Sequence, residues 1–145
     1  MIKIICVGKI KEKYLSDLID DYKNRINKYH KLDIIELKDN NVNDESDEIL
    51  KIINKKDYNI YMDIKGEKIN SIDFSTLIND TFINGYGNIT FIIGGSNGVN
   101  ESVKSVVNKR ISFSDLTFPH GLFRGLLLEQ IYRSFKIINN ETYHK

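Results

Sequence analysis

Hydrophobic positions recur along the chain with two different periods, and the two periods alternate five times. Short apolar runs rich in β-branched residues predict strands, and longer segments with apolar residues three or four apart predict helices. This alternation predicts an α/β protein with a parallel sheet flanked by helices on both faces. The predicted strands are 1–8, 32–38, 58–66 (ending in a turn), 89–93 and 110–114, and the predicted helices are 11–29, 47–56, 71–83, 101–108 and 119–138.

Polar residues ahead of the helical segments predict where several of the helices begin. Residues 40–48 are almost entirely polar and predict a loop before the second helix. Pro119, the only proline, suits the first turn of the last helix. The candidate caps are Asp44 or Ser46 for the second helix, Ser71 or Asp73 for the third and Asn100 for the fourth.

Length and composition are those of one globular domain over residues 1–145. Cys6 is the only cysteine, so no internal disulfide forms, which suits a reducing cytoplasm. No apolar run approaches the ~18 residues of a membrane span. The net charge is +1, yet residues 1–31 and 101–145 are basic and residues 32–100 are acidic. If the two basic ends fold together, one face attracts a polyanion; the alternative is an ordinary solvated surface.

The stretch TFIIGGSNGVNES, residues 90–102, predicts a buried strand, a glycine-rich turn and a helix start. It lacks the Gly-Lys-Ser/Thr end of a nucleotide-triphosphate loop, and its Gly94, Gly95 and Gly98 spacing is not that of a dinucleotide fingerprint. A ligand-binding turn and a purely structural tight turn therefore both remain open.

Ligands of parallel α/β sheets bind beyond the carboxyl ends of the strands, which singles out the loops 63–66, 94–98 and 114–120. The segment FSDLTFPH, residues 113–120, carries hydroxyls and aromatic groups but no Lys or Arg. Such a loop beside a glycine turn fits an adenine nucleoside better than a triphosphate. His120 begins the last helix and is either a neutral hydrogen-bonding group or a surface histidine. No His, Cys and carboxylate spacing predicts a metal site.

The last predicted helix is apolar over well over half of its circumference, with Gly125, Glu129 and Lys136 grouped on the remaining side and Arg133 at its edge. Such a helix is buried either against its own sheet and a second subunit, which predicts a homodimer, or wholly inside one chain. The tail NNETYHK is either a frayed end or a way to deliver an aromatic ring, an imidazole and a cation to a site.

Three stretches together resemble a known family: FIIGGSNGV, SFSDLTFPHGLFRGLLLEQIYRSFKI and the terminal YHK. They are similar to the RlmH family of bacterial ribosomal RNA methyltransferases, which belongs to the SPOUT superfamily, and the likeness extends to the start of the chain. The resemblance implies an α/β fold with a C-terminal trefoil knot, a homodimer with the active site at the subunit interface, and S-adenosylmethionine as cofactor. It also implies methylation of N3 of a pseudouridine in a 23S rRNA hairpin on assembled ribosomes, without metal or membrane.

Matched position by position, the resemblance implies three sets of site residues. The cofactor set is Met62, Gly94, Gly95, Gly98, Phe113, Ser114, Asp115, Leu116, Thr117 and Phe118. The catalytic set is Tyr143, His144, Lys145 and Arg133, with His144 as the candidate base and water as the alternative. The substrate set is His120, Arg133, Tyr143 and Lys145. Lys9, Lys11, Lys13 and Arg25 are expected to neutralise RNA phosphates. The rival functions are an inert RNA-binding or ribosome-associated module and a nucleotide-binding oxidoreductase.

Overall fold

Five parallel strands form one sheet in the computed structural model, which describes all 145 residues. The strand order is β2-β1-β4-β3-β5, and every neighbouring pair is parallel, so the predicted parallel sheet is confirmed. All five residues of the central strand β4 are buried, as expected for a strand covered on both faces. The strands are β1 Ile2–Val7, β2 Leu32–Leu37, β3 Tyr58–Lys68, β4 Ile89–Ile93 and β5 Lys109–Ser112.

The helices divide between the two faces of the sheet, as the alternation of strands and helices predicts. The helices are α1 Lys13–Ile26, α2 Val42–Ile52, α3 Ser71–Ile83, α4 Glu101–Lys104 and α5 His120–Ile138. The side chains of α1, α3 and α5 form one hydrophobic core with the sheet, and those of α2 and α4 form a second core on the other face. No helix is both long enough and apolar enough to cross a membrane.

The predicted polar loop over 40–48 is wrong, because α2 already begins at Val42. Asn41 is the N-cap, and its side chain accepts a hydrogen bond from the Asp44 backbone N–H at 2.9 Å. Glu45 and Ser46 are buried and accept from the backbone N–H groups of Asn40 and Asn100, so the buried side of the first turn is polar. A pattern search for apolar residues therefore misses its first turn.

Several further boundaries and caps differ from the prediction. Asn70, rather than Ser71 or Asp73, caps α3 by accepting from the Asp73 N–H. The predicted turn at 63–66 lies inside β3, which pairs with β5 again after an irregularity between Met62 and Glu67. The strand β5 begins one residue earlier and ends two residues earlier than predicted, and α4 is four residues long instead of eight. Asn100 is the N-cap of α4, but its side chain bonds Asn43 and not the helix.

Helix α5 packs along α1, and the two run side by side. A Cβ on Gly125 would lie 2.6 Å from the Leu18 side chain, so this glycine permits the close approach of the two helices. The prediction that Gly125 belongs to the polar side of α5 is therefore wrong. Glu129 and Lys136, by contrast, are only half-buried. The trefoil knot that the family resemblance implies stays a prediction.

His30 lies between two aromatic rings at the edge of the larger core. Its ring stacks on Phe82 at 4.3 Å and on Phe135 at 5.8 Å between centroids. Burial, and secondarily the charge of the chain's amino terminus, lowers the pKa of His30 below its ordinary 6.5. The neutral imidazole therefore belongs to the folded state.

The shifted pKa of His30 predicts a pH-dependent loss of stability. Because the unfolded chain takes up a proton at His30 more readily than the folded chain, the free energy of unfolding falls as pH drops below about 6.5. His30→Phe keeps the stacking but removes the titration, so its stability should fall less than that of wild type between pH 7.5 and pH 5. Urea denaturation at both pH values measures this, and equal losses in the two proteins would refute it.

Candidate functional site

A cavity of about 310 Å³ opens at the carboxyl ends of β4 and β5, beside residues 61–64 in the middle of β3. It lies where the sheet rule for ligand sites places it. Half of its lining residues are hydrophobic, and none is Lys or Arg. Nine of the ten predicted cofactor residues line it, together with His120: Met62, Gly94, Gly95, Gly98, Phe113, Ser114, Leu116, Thr117 and Phe118.

The glycine turn after β4 is closed by its own backbone. The Gly98 N–H donates to the Gly95 carbonyl at 3.0 Å, and Gly98 has a φ of +71°, where a side chain is strained. A Cβ on Gly94 would lie 2.9 Å from the Gly98 carbonyl oxygen. The turn is thus compact enough that only glycine fits at its first position, and its backbone forms part of the cavity wall.

Two residues that the sequence analysis missed support this turn. Glu45 of α2 is buried and accepts from the Asn40 N–H at 2.8 Å, and its other oxygen would lie 2.5 Å from a Cβ on Gly95. Tyr61 places its hydroxyl beneath Gly98, and burial raises the pKa of Tyr61 to about 12, so the hydroxyl stays protonated. A glutamate in a polar segment and a tyrosine in a strand carried no distinguishing signal.

The second loop, residues 113–118, is held by hydroxyl groups. Ser114 Oγ accepts from the Leu116 N–H at 2.9 Å, and Ser112 Oγ donates to the Ser114 carbonyl at 3.0 Å. Asp115 is the one predicted cofactor residue outside the lining, because it is exposed and forms an ion pair with Lys68. The short hydroxyl bonds fix the loop so that its apolar side chains face the cavity.

A second cluster lies along the second half of α5 and contains three of the predicted catalytic residues. Glu129 Oε1 accepts from Arg133 Nε at 3.0 Å and from the Tyr143 hydroxyl at 3.1 Å. The Arg133 guanidinium lies 4.8 Å from the centre of the Tyr143 ring, and its Nη1 is 3.1 Å from His144 Nδ1. Burial, the Tyr22 hydroxyl and the Glu129 carboxylate raise the pKa of Tyr143, which keeps it a donor.

The contact with Arg133 sets the hydrogen-bonding role of His144 Nδ1. A guanidinium has no acceptor, so His144 Nδ1 must accept the hydrogen bond. The neutral imidazole then carries its proton on Nε2 and presents that N–H as a donor. For His144 to take up a proton at Nδ1, it must leave Arg133. Lys145 is exposed and forms no ion pair.

The cavity and the tail cluster are far apart within one chain. The cavity includes His120, the first residue of α5, whereas Tyr143 and His144 follow the end of this 19-residue helix. The tail folds back along the helix, because Tyr143 bonds Glu129 and His144 contacts Arg133, and the helical rise places these two partners roughly 14 and 20 Å from His120 along the axis. The structure therefore brings the cofactor set together and most of the catalytic set together, but it does not bring the two sets to each other.

Arg124 is a further residue that the sequence analysis missed. It is 3% exposed, donates to Glu36 at 2.6 Å and to the Gly8 carbonyl at 3.0 Å, and its Nε has no partner. Arg124 thereby ties the start of α5 to the ends of β1 and β2. The sequence signal that could have identified Arg124 is its position as a charged residue among the apolar residues of the last helix. No group of three or more His, Cys, Asp or Glu side chains is placed to hold a metal ion.

Fold and cavity together define an α/β protein with a small, partly apolar cavity at the carboxyl edge of a parallel sheet. The family model described as "Predicted SPOUT methyltransferase" matches residues 1–144. The chain is 46% identical to a ribosomal RNA large subunit methyltransferase H from Clostridium tetani and 48% identical to one from Fusobacterium nucleatum, with 99% of each chain covered in both comparisons. The protein therefore belongs to the SPOUT methyltransferase family.

Solved structures of lower sequence similarity share the fold. A tRNA (m1G37) methyltransferase from Aquifex aeolicus superposes with a TM-score of 0.51 and 18% identity, covering 91% of this chain and 69% of that one. The SpoU methyltransferase AviRb from Streptomyces viridochromogenes gives a TM-score of 0.52 and 9% identity, covering 98% of this chain and 62% of that one. At such identities the likeness concerns the fold.

The closure of the glycine turn predicts the effect of one added methyl group. Gly94→Ala places a Cβ against the backbone of Gly98, which must shift, so we expect a loss of about 1–3 kcal/mol in the free energy of unfolding. Gly87→Ala is the matched control, since no atom lies within 4 Å of its added Cβ, and its change should stay within about 0.5 kcal/mol. Urea denaturation measures both, and equal stabilities of the two variants would contradict the proposed closure.

Proposed function

We propose that the protein transfers a methyl group from S-adenosylmethionine to large-subunit ribosomal RNA, at N3 of a pseudouridine in a 23S rRNA hairpin on assembled ribosomes. The observation that carries the proposal is the cavity formed by the glycine turn and the 113–118 loop, at the positions that the RlmH resemblance singles out. The full-length relatives named ribosomal RNA large subunit methyltransferase H support the same substrate. Because ribosomes occupy the cytoplasm, we expect the protein there.

The cavity fits an adenosyl sulfonium and does not fit a polyphosphate. No Lys or Arg lines it to neutralise phosphates, as NAD or ATP would require. Its one carboxylate, Asp63, is 9% exposed and suits a cationic ligand. Gly94 and Gly95 border the cavity through backbone atoms alone, because a Cβ on either would collide with the Gly98 carbonyl or the Glu45 carboxylate. This lining favours a methyltransferase over a nucleotide-binding oxidoreductase.

S-adenosylmethionine supplies a methyl group on a sulfonium that is already a good leaving centre. The contribution of the protein is then chiefly to position the acceptor nitrogen and to remove its proton. Met62 and the aromatic side chains of the 113–118 loop supply the apolar walls that exclude water. The hydrogen bonds of Ser112 and Ser114 hold that loop in place.

A two-fold dimer through α5 would unite the two separated clusters. The residues Leu122, Leu126, Glu129 and Arg133 follow one another at helical spacing and none is fully buried. If two copies pack this stripe antiparallel, Leu122 of one chain meets Arg133 of the other. The tail of each subunit then lies at the start of the other subunit's α5, beside its cavity. We therefore propose a homodimer whose site takes its cofactor residues from one chain and its tail from the other.

In this composite site the tail would handle the proton and the charge of the base. Arg133, held by Glu129, presents a fixed cation that stabilises negative charge developing on the uracil-like ring. His144 donates through Nε2 while Arg133 occupies Nδ1, and it accepts the ring proton once that contact is exchanged. Tyr143 and Lys145 complete the set as hydrogen-bond donors to the substrate.

Basic residues near the amino terminus would supply the RNA affinity. Lys9 and Lys11 are exposed and form no ion pair, so their charge is available to phosphates. Lys13 and Arg25 pair with Asp17 and Asp21 on the exposed face of α1, and such exposed pairs are weak enough to exchange for phosphate.

Two measurements test the proposed function. S-adenosylmethionine should raise the melting temperature, whereas NAD and ATP should not, and labelled methyl should pass to ribosomes from a strain without the enzyme but poorly to naked 23S rRNA. A shift with NAD alone would favour the oxidoreductase. Binding to ribosomes without methyl transfer would favour the inert module.

Mixed dimers test the composite site. Leu116→Glu alters an exposed cavity residue and His144→Ala alters the tail; each homodimer should be nearly inactive, with kcat reduced about 10²-fold or more for His144→Ala at unchanged cofactor affinity. Subunits mixed by co-unfolding and refolding should regain about a quarter of wild-type activity, because half of the dimers hold one intact site.

The mixed sample decides between the two arrangements of the site. If cavity and tail worked within one chain, every site in the mixture would carry a defect and no activity would return. Before mixing, the thermal shift must show that Leu116→Glu has lost the response to cofactor and that His144→Ala has kept it.

A further inference from the structure

A second, smaller cavity lies on the other side of β4 from the cofactor cavity. Its volume is about 190 Å³, and it opens between the ends of β1 and β4. The chain leaves β1 toward α1 on one face of the sheet and leaves β4 toward α4 on the other, so the two loops diverge. Such a divergence creates a crevice that is a general ligand position in parallel α/β sheets.

The two cavities share a wall. Gly95, Ser96 and His120 line both of them. A ligand in the smaller cavity would therefore lie directly beside a ligand in the larger one. Group transfer requires the reacting atoms to approach to about 3–3.5 Å, so the acceptor must lie in a site adjacent to the cofactor.

The charged group at the floor of the smaller cavity is held by hydrogen bonds, and its charge is neutralised by an ion pair. Arg124 lies there, buried, with its charge paired to Glu36 and its Nη2 bound to the Gly8 carbonyl. Gly8 has a φ of +95°, and a Cβ there would lie 3.3 Å from the Asp39 carboxylate. The glycine thus keeps the crevice open and lets Asp39 approach it.

The polar groups of the smaller cavity match a nucleobase better than a phosphate. Asp39 is an acceptor that repels a phosphate, whereas the Ser96 hydroxyl and the His120 ring both donate and accept. A uracil-type ring offers ring N–H donors and carbonyl acceptors on the same edge. A cavity of this volume is below the roughly 300–1,000 Å³ of larger ligand sites and suits a single ring.

We propose that this smaller cavity receives the everted pyrimidine base of the substrate, with Asp39 accepting a ring N–H and Lys9 holding the adjoining phosphate. The inference rests on the proposed methyl transfer, and it adds the position of the base. A base inside a hairpin must leave its stack before an enzyme can reach it, and a polar pocket beside the cofactor is where such a base is held.

Substitution of Asp39 by an uncharged residue should weaken the reaction if the cavity holds a base, and should strengthen ribosome binding if the cavity holds a phosphate. Asp39→Ala should lower kcat/KM for ribosomes about tenfold or more at unchanged S-adenosylmethionine affinity, because a hydrogen bond to a charged group is lost. Asp39→Asn keeps an acceptor oxygen and should recover part of the activity. Asp33→Ala, an exposed carboxylate on the same strand-and-loop segment, is the matched control and should equal wild type.

Three outcomes would overturn the inference in different ways. If Asp39→Ala and Asp33→Ala behave alike, the base does not occupy this cavity. If Asp39→Ala binds ribosomes more tightly, the cavity holds a phosphate. If wild-type protein transfers no methyl to ribosomes at all, the proposed function fails first, and this inference fails with it.

Discussion

The contact of the backbone at Gly94 with the carbonyl of Gly98 is the constraint on which the site depends. It turns the chain sharply at the end of the most buried strand and sends it to the opposite face of the sheet from the loop after β1. Both cavities exist because the chain diverges there, and both use the turn as a wall. Glu45 and Tyr61, which pack against the turn, come from distant parts of the chain. The edge of the sheet that carries the two cavities is therefore packed directly against the smaller hydrophobic core.

Helix α5 relates this edge to the tail. Its start borders both cavities, its middle forms the larger core with α1 and α3, and its end carries Arg133 and the residues that hold the tail. Because a helix is stiff over this length, the two ends act at fixed positions. A single chain then contains every chemical group of the proposed reaction but not their meeting point, which is the physical ground for the proposed dimer.

The sequence predicts much of this arrangement, and the remainder is lost for identifiable reasons. Strand β4 and helix α5 were predicted correctly because each is a largely apolar run whose hydrophobic positions fit only one kind of secondary structure. The first turn of α2 was missed because its buried residues, Glu45 and Ser46, are polar and serve backbone groups of other segments. Gly66 resembled a turn residue, yet it permits β3 to lie against the backbone of β5. Such roles depend on tertiary partners, which no local pattern contains.

The length of α5 has a consequence for how this chain can vary. If the helix connects a subunit's own cavity to the tail that it delivers to the partner's cavity, an inserted or deleted residue rotates everything beyond it by about 100° and changes both sites of the dimer at once. Surface loops such as 84–88 carry no comparable penalty, because nothing on the far side depends on their register. Helix α5 thus sets the distance and the rotation between the cavity and the tail. Natural variation in chain length should therefore accumulate elsewhere.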